Sequence, residues 1–210
     1  MKIEILDLGI NNIKSVVSVF QEQLQITDTL SVICDSSESK SPDLLVLPGL
    51  GSFGFGMAEI RKRNFDNLIF HSTNKRVRLV GICLGMQLLG NSSEESPGVV
   101  GLGLIEGSSK KLVRQNKERI PNIGWAPTTP SARNDFLSLS KDRDFYFVHS
   151  YTLEPVDSTN ILCSTRYGEA EFVSGVISEE VIGFQFHPEK SAKAGAELIS
   201  EVIAWGKYEI

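Results

Sequence analysis

The octet Val80-Gly81-Ile82-Cys83-Leu84-Gly85-Met86-Gln87 constrains this chain more than any other stretch. The apolar run Arg78-Leu79-Val80-Gly81-Ile82 reads as a short buried strand, and Met86-Gln87-Leu88-Leu89 at once begins a helical pattern. Strand, sharp turn and helix around G-x-C-x-G have the form of a nucleophile elbow, the thiol counterpart of G-x-S-x-G. Gly81 and Gly85 lack Cβ, so the chain can turn tightly and the strand and helix can approach. The turn pushes the sulfur into the open, and the helix aims its positive end at it, which favours thiolate. The next backbone N–H, on Leu84, is placed to stabilise an oxyanion. A lone cysteine at a strand end is ordinarily a small buried hydrophobe, so the elbow acquires chemical meaning only with a base.

Gly183-Phe184-Gln185-Phe186-His187-Pro188-Glu189-Lys190-Ser191 supplies one. Val181 to Phe186 reads as a strand that delivers His187 at its end, and Pro188, with no N–H to donate, stops the ladder. Glu189 follows close enough to turn back onto the ring. A thiol needs a base, and the base needs a partner that fixes its tautomer. Cys83, His187 and Glu189 fill these roles in chain order. The chain has three histidines. His71 lies in a polar stretch and reads as a solvated helix-end or loop residue. His149 ends Phe145-Tyr146-Phe147-Val148 and has no acidic neighbour before Glu154. It reads as a substrate-pocket or structural residue.

The elbow followed by F-H-P-E-x-S resembles a class I, triad-type glutamine amidotransferase. Leu47-Pro48-Gly49-Leu50-Gly51-Ser52-Phe53 resembles the loop that supplies the other half of that family's oxyanion hole. Ile123-Gly124-Trp125, Tyr146 to Tyr151 and the opening Ile5 to Val16 resemble the glutaminase subunit of imidazole glycerol phosphate synthase. The resemblance spans nearly the whole chain and implies oxyanion donors at Leu84, Leu50 and Gly51. It implies substrate contacts at Gly49, Gln87, Glu95, Ser150 and Tyr151. Trp125, Tyr146 and Lys190 match positions at the interface with a partner. The implied substrate is L-glutamine, hydrolysed to glutamate through a Cys83 thioester without metal or cofactor. The implied partner is a separate (β/α)₈-barrel cyclase in a heterodimer of histidine biosynthesis. Asn122 stands where a His is usual, Ala126 replaces an Asn, and Gly9-Ile10-Asn11 departs from G-x-G-N. A paralogue feeding a nucleotide-sugar or surface-polysaccharide amidotransferase, a stand-alone γ-glutamyl hydrolase and a regulatory protein with a redox-sensing Cys83 are the competing readings.

The chain has 210 residues, which fits one domain spanning 1–210, with room for a small appended lobe. Its net charge of −5 gives no footprint for nucleic acid. No apolar stretch approaches the roughly 18 residues needed to span a bilayer. No leader-like segment opens the chain, and a reducing cytoplasm suits a catalytic thiol. Cys34 and Cys163 sit in or end strand-like runs without metal-ligand spacing and read as buried spectators.

In the first half, strands at 3–8, 29–34, 44–47 and 79–82 alternate with helices at 12–25 and 57–70. This predicts an α/β fold: a largely parallel, flavodoxin-like sheet with helices on both faces. Sites in such sheets form beyond the carboxyl ends of strands, where the Pro48 loop, Cys83 and His187 all fall. From Val99 the pattern turns β-rich, with strands at 101–105, 110–113, 146–149, 161–165 and 171–177. An amphipathic helix over 191–205 turns Ala194, Leu198, Ile199, Val202 and Ile203 to the core.

Overall fold

The computed structural model describes residues 1–9, 13–113, 119–131 and 143–207. Ile10, Asn11 and Asn12 of the opening motif lie outside the described residues. Strands β1 (Lys2–Leu6), β2 (Thr29–Ile33), β3 (Leu44–Gly49) and β4 (Arg78–Cys83) form a parallel sheet. Every residue of β3 and β4 is buried, as expected for strands covered on both faces. Helices α1 (Ile13–Gln21) and α5 (Ala192–Lys207) pack against one face. Helices α2 (Phe53–Lys62), α3 (Phe65–Thr73) and α4 (Leu84–Leu88) pack against the other. The core side of α5 carries Leu198, Ile199, Val202 and Ile203 as expected, together with Gly195 and Trp205, while Ala194 is only partly buried.

The β-rich half continues the same sheet. β5 (Ser92–Ser93), β6 (Gly107–Lys111) and β9 (Tyr151–Pro155) make a small side sheet. β7 (Asn122–Pro130), β8 (Arg143–His149), β10 (Ile161–Tyr167), β11 (Ala170–Ser178) and β12 (Val181–Phe184) extend the main one. Its order is β2-β1-β3-β4-β12-β11-β10-β7-β8. β12 pairs parallel to β4, and every junction beyond it is antiparallel.

Four local expectations change. The helix expected over 12–25 ends at Gln21, and Glu22 and Gln23 form a turn. The helix expected over 57–70 is two helices, broken at Arg63 and Asn64, where Asn64 has a left-handed φ of 55°. The buried positions slip phase there: Ile60 and Phe65 cannot lie on one continuous helical stripe. Residues 101–105 form no strand. The N–H groups of Leu102, Leu104 and Ile105 donate to the carbonyls of Leu88 and Leu89 at 2.8–3.1 Å, satisfying acceptors that the end of α4 leaves open. β7 is a strand that the sequence pattern does not announce, because Gly124, Pro127 and Pro130 read as loop chemistry.

Candidate active site

The elbow forms, and its glycines are sterically required. A Cβ on Gly85 would come to 1.8 Å from the Leu47 carbonyl oxygen, and one on Gly81 to 2.7 Å from the Gly85 backbone. Cys83 itself adopts φ 55°, ψ −107°. A non-glycine residue held at positive φ costs of order 1–3 kcal/mol, and here the fully packed strand–turn–helix junction enforces it. The helix behind the sulfur is shorter than the pattern implied: α4 spans only five residues. Few aligned peptides therefore contribute to its dipole.

Strand register brings the other parts to the thiol. Gly49 pairs with Cys83 across β3 and β4, so the Pro48–Gly51 loop leaves the sheet beside the thiol. Phe184 pairs with Ile82, so the chain beyond β12 runs alongside the elbow and carries His187 to the same end. The His187 backbone N–H donates to the Tyr146 carbonyl at 2.9 Å. Ser191 Oγ accepts from Tyr146 N–H at 3.0 Å and donates to the His187 carbonyl at 2.6 Å. The backbone of His187 is thus tied to β8.

The His187 ring is buried, and its Nδ1 lies 2.7 Å from Glu189 Oε1, whose side chain is also buried. A carboxylate only accepts, so Nδ1 carries a proton and Nε2 is the ring's other, unengaged nitrogen. Burial alone would lower the pKa of this ring. The Cys83 sulfur and the Glu189 carboxylate outweigh burial and raise it to about 10. At neutral pH the imidazole is therefore protonated beside the sulfur.

His149 is equally buried and opposite in state. Its Nδ1 lies 3.0 Å from the Tyr151 carbonyl oxygen, which can only accept. Its Nε2 is then the acceptor for the Asn122 amide at 3.1 Å. Burial, with a small contribution from His187, lowers it to about 4, so His149 is neutral.

Cys83 opens onto a 250 Å³ cavity lined by Leu50, Gly51, Leu84, Gln87, Glu95, Pro121, Val148, His149, Ser150 and Tyr151. Nearly all the residues expected at the oxyanion and substrate positions meet here. Gly49, His187, Glu189 and Lys190 instead line an adjoining 20 Å³ hollow, and Leu50 borders both. Larger hollows lie elsewhere: the one between α1 and α5 touches Glu189, and neither holds a cysteine or histidine. Glu95 has a second task. Its Oε2 accepts from Phe53 N–H at 2.7 Å, and Ser96 Oγ accepts from Gly54 N–H at 3.0 Å, so these side chains cap α2. The Gln87 Nε2 protons go to the Tyr151 carbonyl at 2.8 Å and to Gln185 Oε1 at 3.1 Å. A ligand therefore meets its Oε1, an acceptor. Gln185, fully buried, donates to Cys83 Sγ at 3.8 Å. Sequence reading did not single it out.

Trp125 is half exposed and stands edge-on to Tyr146, with ring centroids 6.0 Å apart. Lys190 Nζ lies 5.8 Å from the Tyr146 ring centroid. The three expected interface residues thus form one surface group, with exposed Ile123 on the same strand as Trp125. His71 is exposed in the last turn of α3, as expected. Cys163 is buried, and burial pushes its thiol up to about 12. Cys34 departs from expectation: it is exposed, because it follows β2, an edge strand with mostly exposed side chains. Among the described residues no cluster of His, Cys, Asp and Glu is arranged to hold a metal, and no helix is long and apolar enough to cross a membrane.

Residues 5–204 match the family described as glutamine amidotransferase class-I. The chain is 36% identical to "Imidazole glycerol phosphate synthase subunit HisH 2" of Pseudomonas aeruginosa, over 96% of this chain and 98% of that one. It is 39% identical to "Imidazole glycerol phosphate synthase subunit HisH" of Pyrococcus furiosus, over 94% and 96%. Among solved structures, "Structure of PurLQS from Thermotoga maritima" superposes with a TM-score of 0.74 at 16% identity, over 98% of this chain and 99% of that one. That likeness speaks to the fold.

Proposed function

The chain belongs to the class I glutamine amidotransferase family, and on that premise we propose that it is the glutaminase of a two-subunit synthase, acting as one domain over residues 1–210. The observation that carries this is the strand register that sets Cys83 beside the Gly49–Gly51 loop and beside a histidine held by a carboxylate. The cavity beside the thiol, 250 Å³, is smaller than the about 300–1,000 Å³ of sites for larger ligands. It suits a free amino acid.

In this mechanism the Cys83 thiolate attacks the side-chain carbonyl carbon of L-glutamine. The negative charge moves to the oxygen, where Leu84 N–H and an N–H of Leu50 or Gly51 receive it. One such donor is worth about 3 kcal/mol. As the tetrahedral species collapses, the C–N bond breaks and His187 gives its proton to the departing nitrogen, releasing ammonia. The now neutral ring takes a proton from water, whose oxygen attacks the thioester. Glutamate leaves, and thiolate and imidazolium are restored. Glu189 holds the ring throughout. Gln87 Oε1 and the free oxygen of Glu95 accept from the α-ammonium, and Ser150 and Tyr151 flank the α-carboxylate. Protein groups and water carry every step.

Ammonia released into water at neutral pH is protonated and useless as a nucleophile. The product is therefore handed to a partner chain that docks on Trp125, Tyr146 and Lys190. The relatives' names favour a cyclase subunit of imidazole glycerol phosphate synthase, a (β/α)₈ barrel, in a reducing cytoplasm. The changed residues Asn122 and Ala126 lie on the same strand as Trp125 and sustain a second reading, a paralogue serving another amidotransferase.

The test is glutamate release by the purified chain, alone and with the barrel subunit and its nucleotide ligand. The expected result is poor turnover alone and an increase of orders of magnitude with the liganded partner. Cys83→Ala is expected to be inactive and still bind the partner, and an amide-analogue electrophile is expected to label Cys83. Glutamine turnover in Cys83→Ala would end the mechanism. Stimulation only by a barrel that does not make imidazole glycerol phosphate would select the second reading.

A further inference from the structure

We propose that Gln185 is a catalytic residue: its side-chain amide donates an N–H to Cys83 Sγ and stabilises the thiolate, with its orientation fixed by Gln87, Tyr151 and His149. The inference rests on the reading of Cys83 as nucleophile. The family motif accounts for the base and its orienter. The residue two before His187 has, on the motif alone, only the appearance of a strand position between two phenylalanines.

The argument begins with what the sulfur lacks. It is 5% exposed, so little water reaches it, and a buried anion is costly unless hydrogen bonds support it as well as the opposite charge of His187. The helix behind it is five residues long. The Gln185 amide is fully buried, and its Nε2 lies 3.8 Å from Sγ.

Amide oxygen and nitrogen are told apart by their partners, and here one fixed group settles each in turn. The Tyr151 main-chain carbonyl can only accept, so the end of Gln87 facing it at 2.8 Å is the NH₂. The same Gln87 nitrogen lies 3.1 Å from Gln185, so Gln185 presents its oxygen there. The opposite end of Gln185, toward the sulfur, is then NH₂. His149 Nδ1 also donates to the Tyr151 carbonyl, at 3.0 Å, and so holds that acceptor in place. Each assignment along this buried row thus follows from the one before and ends with an N–H on Sγ. Such networks gain strength from the low local dielectric when every member is satisfied. A hydrogen bond offered to the charged form favours that form.

The test reads ionisation of the thiol directly, without glutamine. In a Cys34→Ser background, which removes the exposed thiol, iodoacetamide alkylation of Cys83 is followed by peptide mass against pH. Two variants are compared with the parent. Gln185→Leu removes the donor. Gln185→Glu keeps the shape and the acceptor for Gln87 but turns a carboxylate oxygen to the sulfur. In both, the pH of half-maximal alkylation is expected to rise, with reactivity at pH 7 falling at least about tenfold, the equivalent of one pKa unit. The kcat for glutamine with the liganded partner is expected to fall more than KM changes.

If Gln185→Leu does not fold, the isosteric Gln185→Glu carries the test. A folded Gln185→Glu with the parental alkylation profile and kcat would overturn the proposal. A loss of kcat with an unchanged alkylation profile would also overturn it, since Gln185 would then act on packing alone. Failure of the glutaminase reading would appear separately, as glutamine turnover in Cys83→Ala.

Discussion

His187 and His149 occupy two neighbouring regions of one buried site, and their surroundings drive them to opposite charge states. His187 is 3% exposed and His149 5%, so desolvation presses both toward neutrality. His187 meets a carboxylate and a sulfur, and rises to about 10. His149 meets a carbonyl and an amide, and falls to about 4. Burial alone does not assign a role to a histidine. The partners add their own sign, and here they separate a ring that holds its proton at neutral pH from a neutral ring on the wall of the Cys83 cavity.

The sharpest way to break this contrast is to delete each ring in turn. His187→Ala is expected to lower thioester formation in a single turnover by about 10⁴- to 10⁶-fold, since members of a catalytic unit fail together. His149→Ala is expected to retain it, with a raised KM from the altered cavity wall. Removing the His187 ring also strands the buried Glu189 carboxylate, a penalty of about 3–5 kcal/mol. His187→Gln, which can still donate to Glu189, is therefore the folding control. Loss of thioester formation in the His149 variant, with retention in the His187 variant, would exchange the two roles.

A smaller change targets the carboxylate. Glu189→Gln is expected to cost about two orders of magnitude less than loss of the base, as an orienter does in related triads. It is also expected to move the alkaline limb of kcat/KM. In the parent, activity is expected to hold through neutral pH and to fall as His187 loses its proton near 10. That limb belongs to the His187–Cys83 pair jointly. Without the carboxylate the imidazolium loses a stabilising charge, so the limb moves to lower pH. An unmoved limb in Glu189→Gln would show that the sulfur alone sets the ring's charge.

The same contrast separates what was legible in the sequence from what was not. The elbow at Cys83 and the His187–Glu189 pair were legible because their spacing is local: Cys83 between two glycines, and Glu189 two residues after His187. The parallel strands β3 and β4 were legible as continuous apolar runs. Gln185 was hidden, because its contact with Sγ exists only through the pairing of Phe184 with Ile82. The contact between Asn122 and His149 was hidden for the same reason. Asn122 and His149 face each other only because β7 pairs with β8, and β7, with its glycine and prolines, did not look like a strand. Glu95 was expected only as a substrate contact. Its bond to Phe53 N–H joins residues that no local pattern connects.

Asn122 offers the finest test, since it meets the one ring nitrogen of His149 that burial keeps unprotonated. The amide gives an N–H to Nε2 and so occupies the lone pair of a ring that burial already holds neutral. Asn122→Asp keeps the size of the side chain and replaces this donor with an acceptor. A carboxylate facing a lone pair is repelled, and the conflict is relieved when Nε2 takes a proton. His149 would then donate from both nitrogens, to the introduced carboxylate and to the Tyr151 carbonyl, and resemble His187. An opposing charge at this range raises a histidine by about 1–3 pKa units, so His149 is expected to titrate well above its present value of about 4. Imidazole NMR shifts against pH, with the ring labelled, read this directly. The effect on catalysis is expected to be a few-fold rise in KM with kcat nearly unchanged, because His149 lines the cavity but stands outside the proton path. A folded Asn122→Asp protein in which His149 still titrates near 4 would show that burial, rather than the partner, governs the ring.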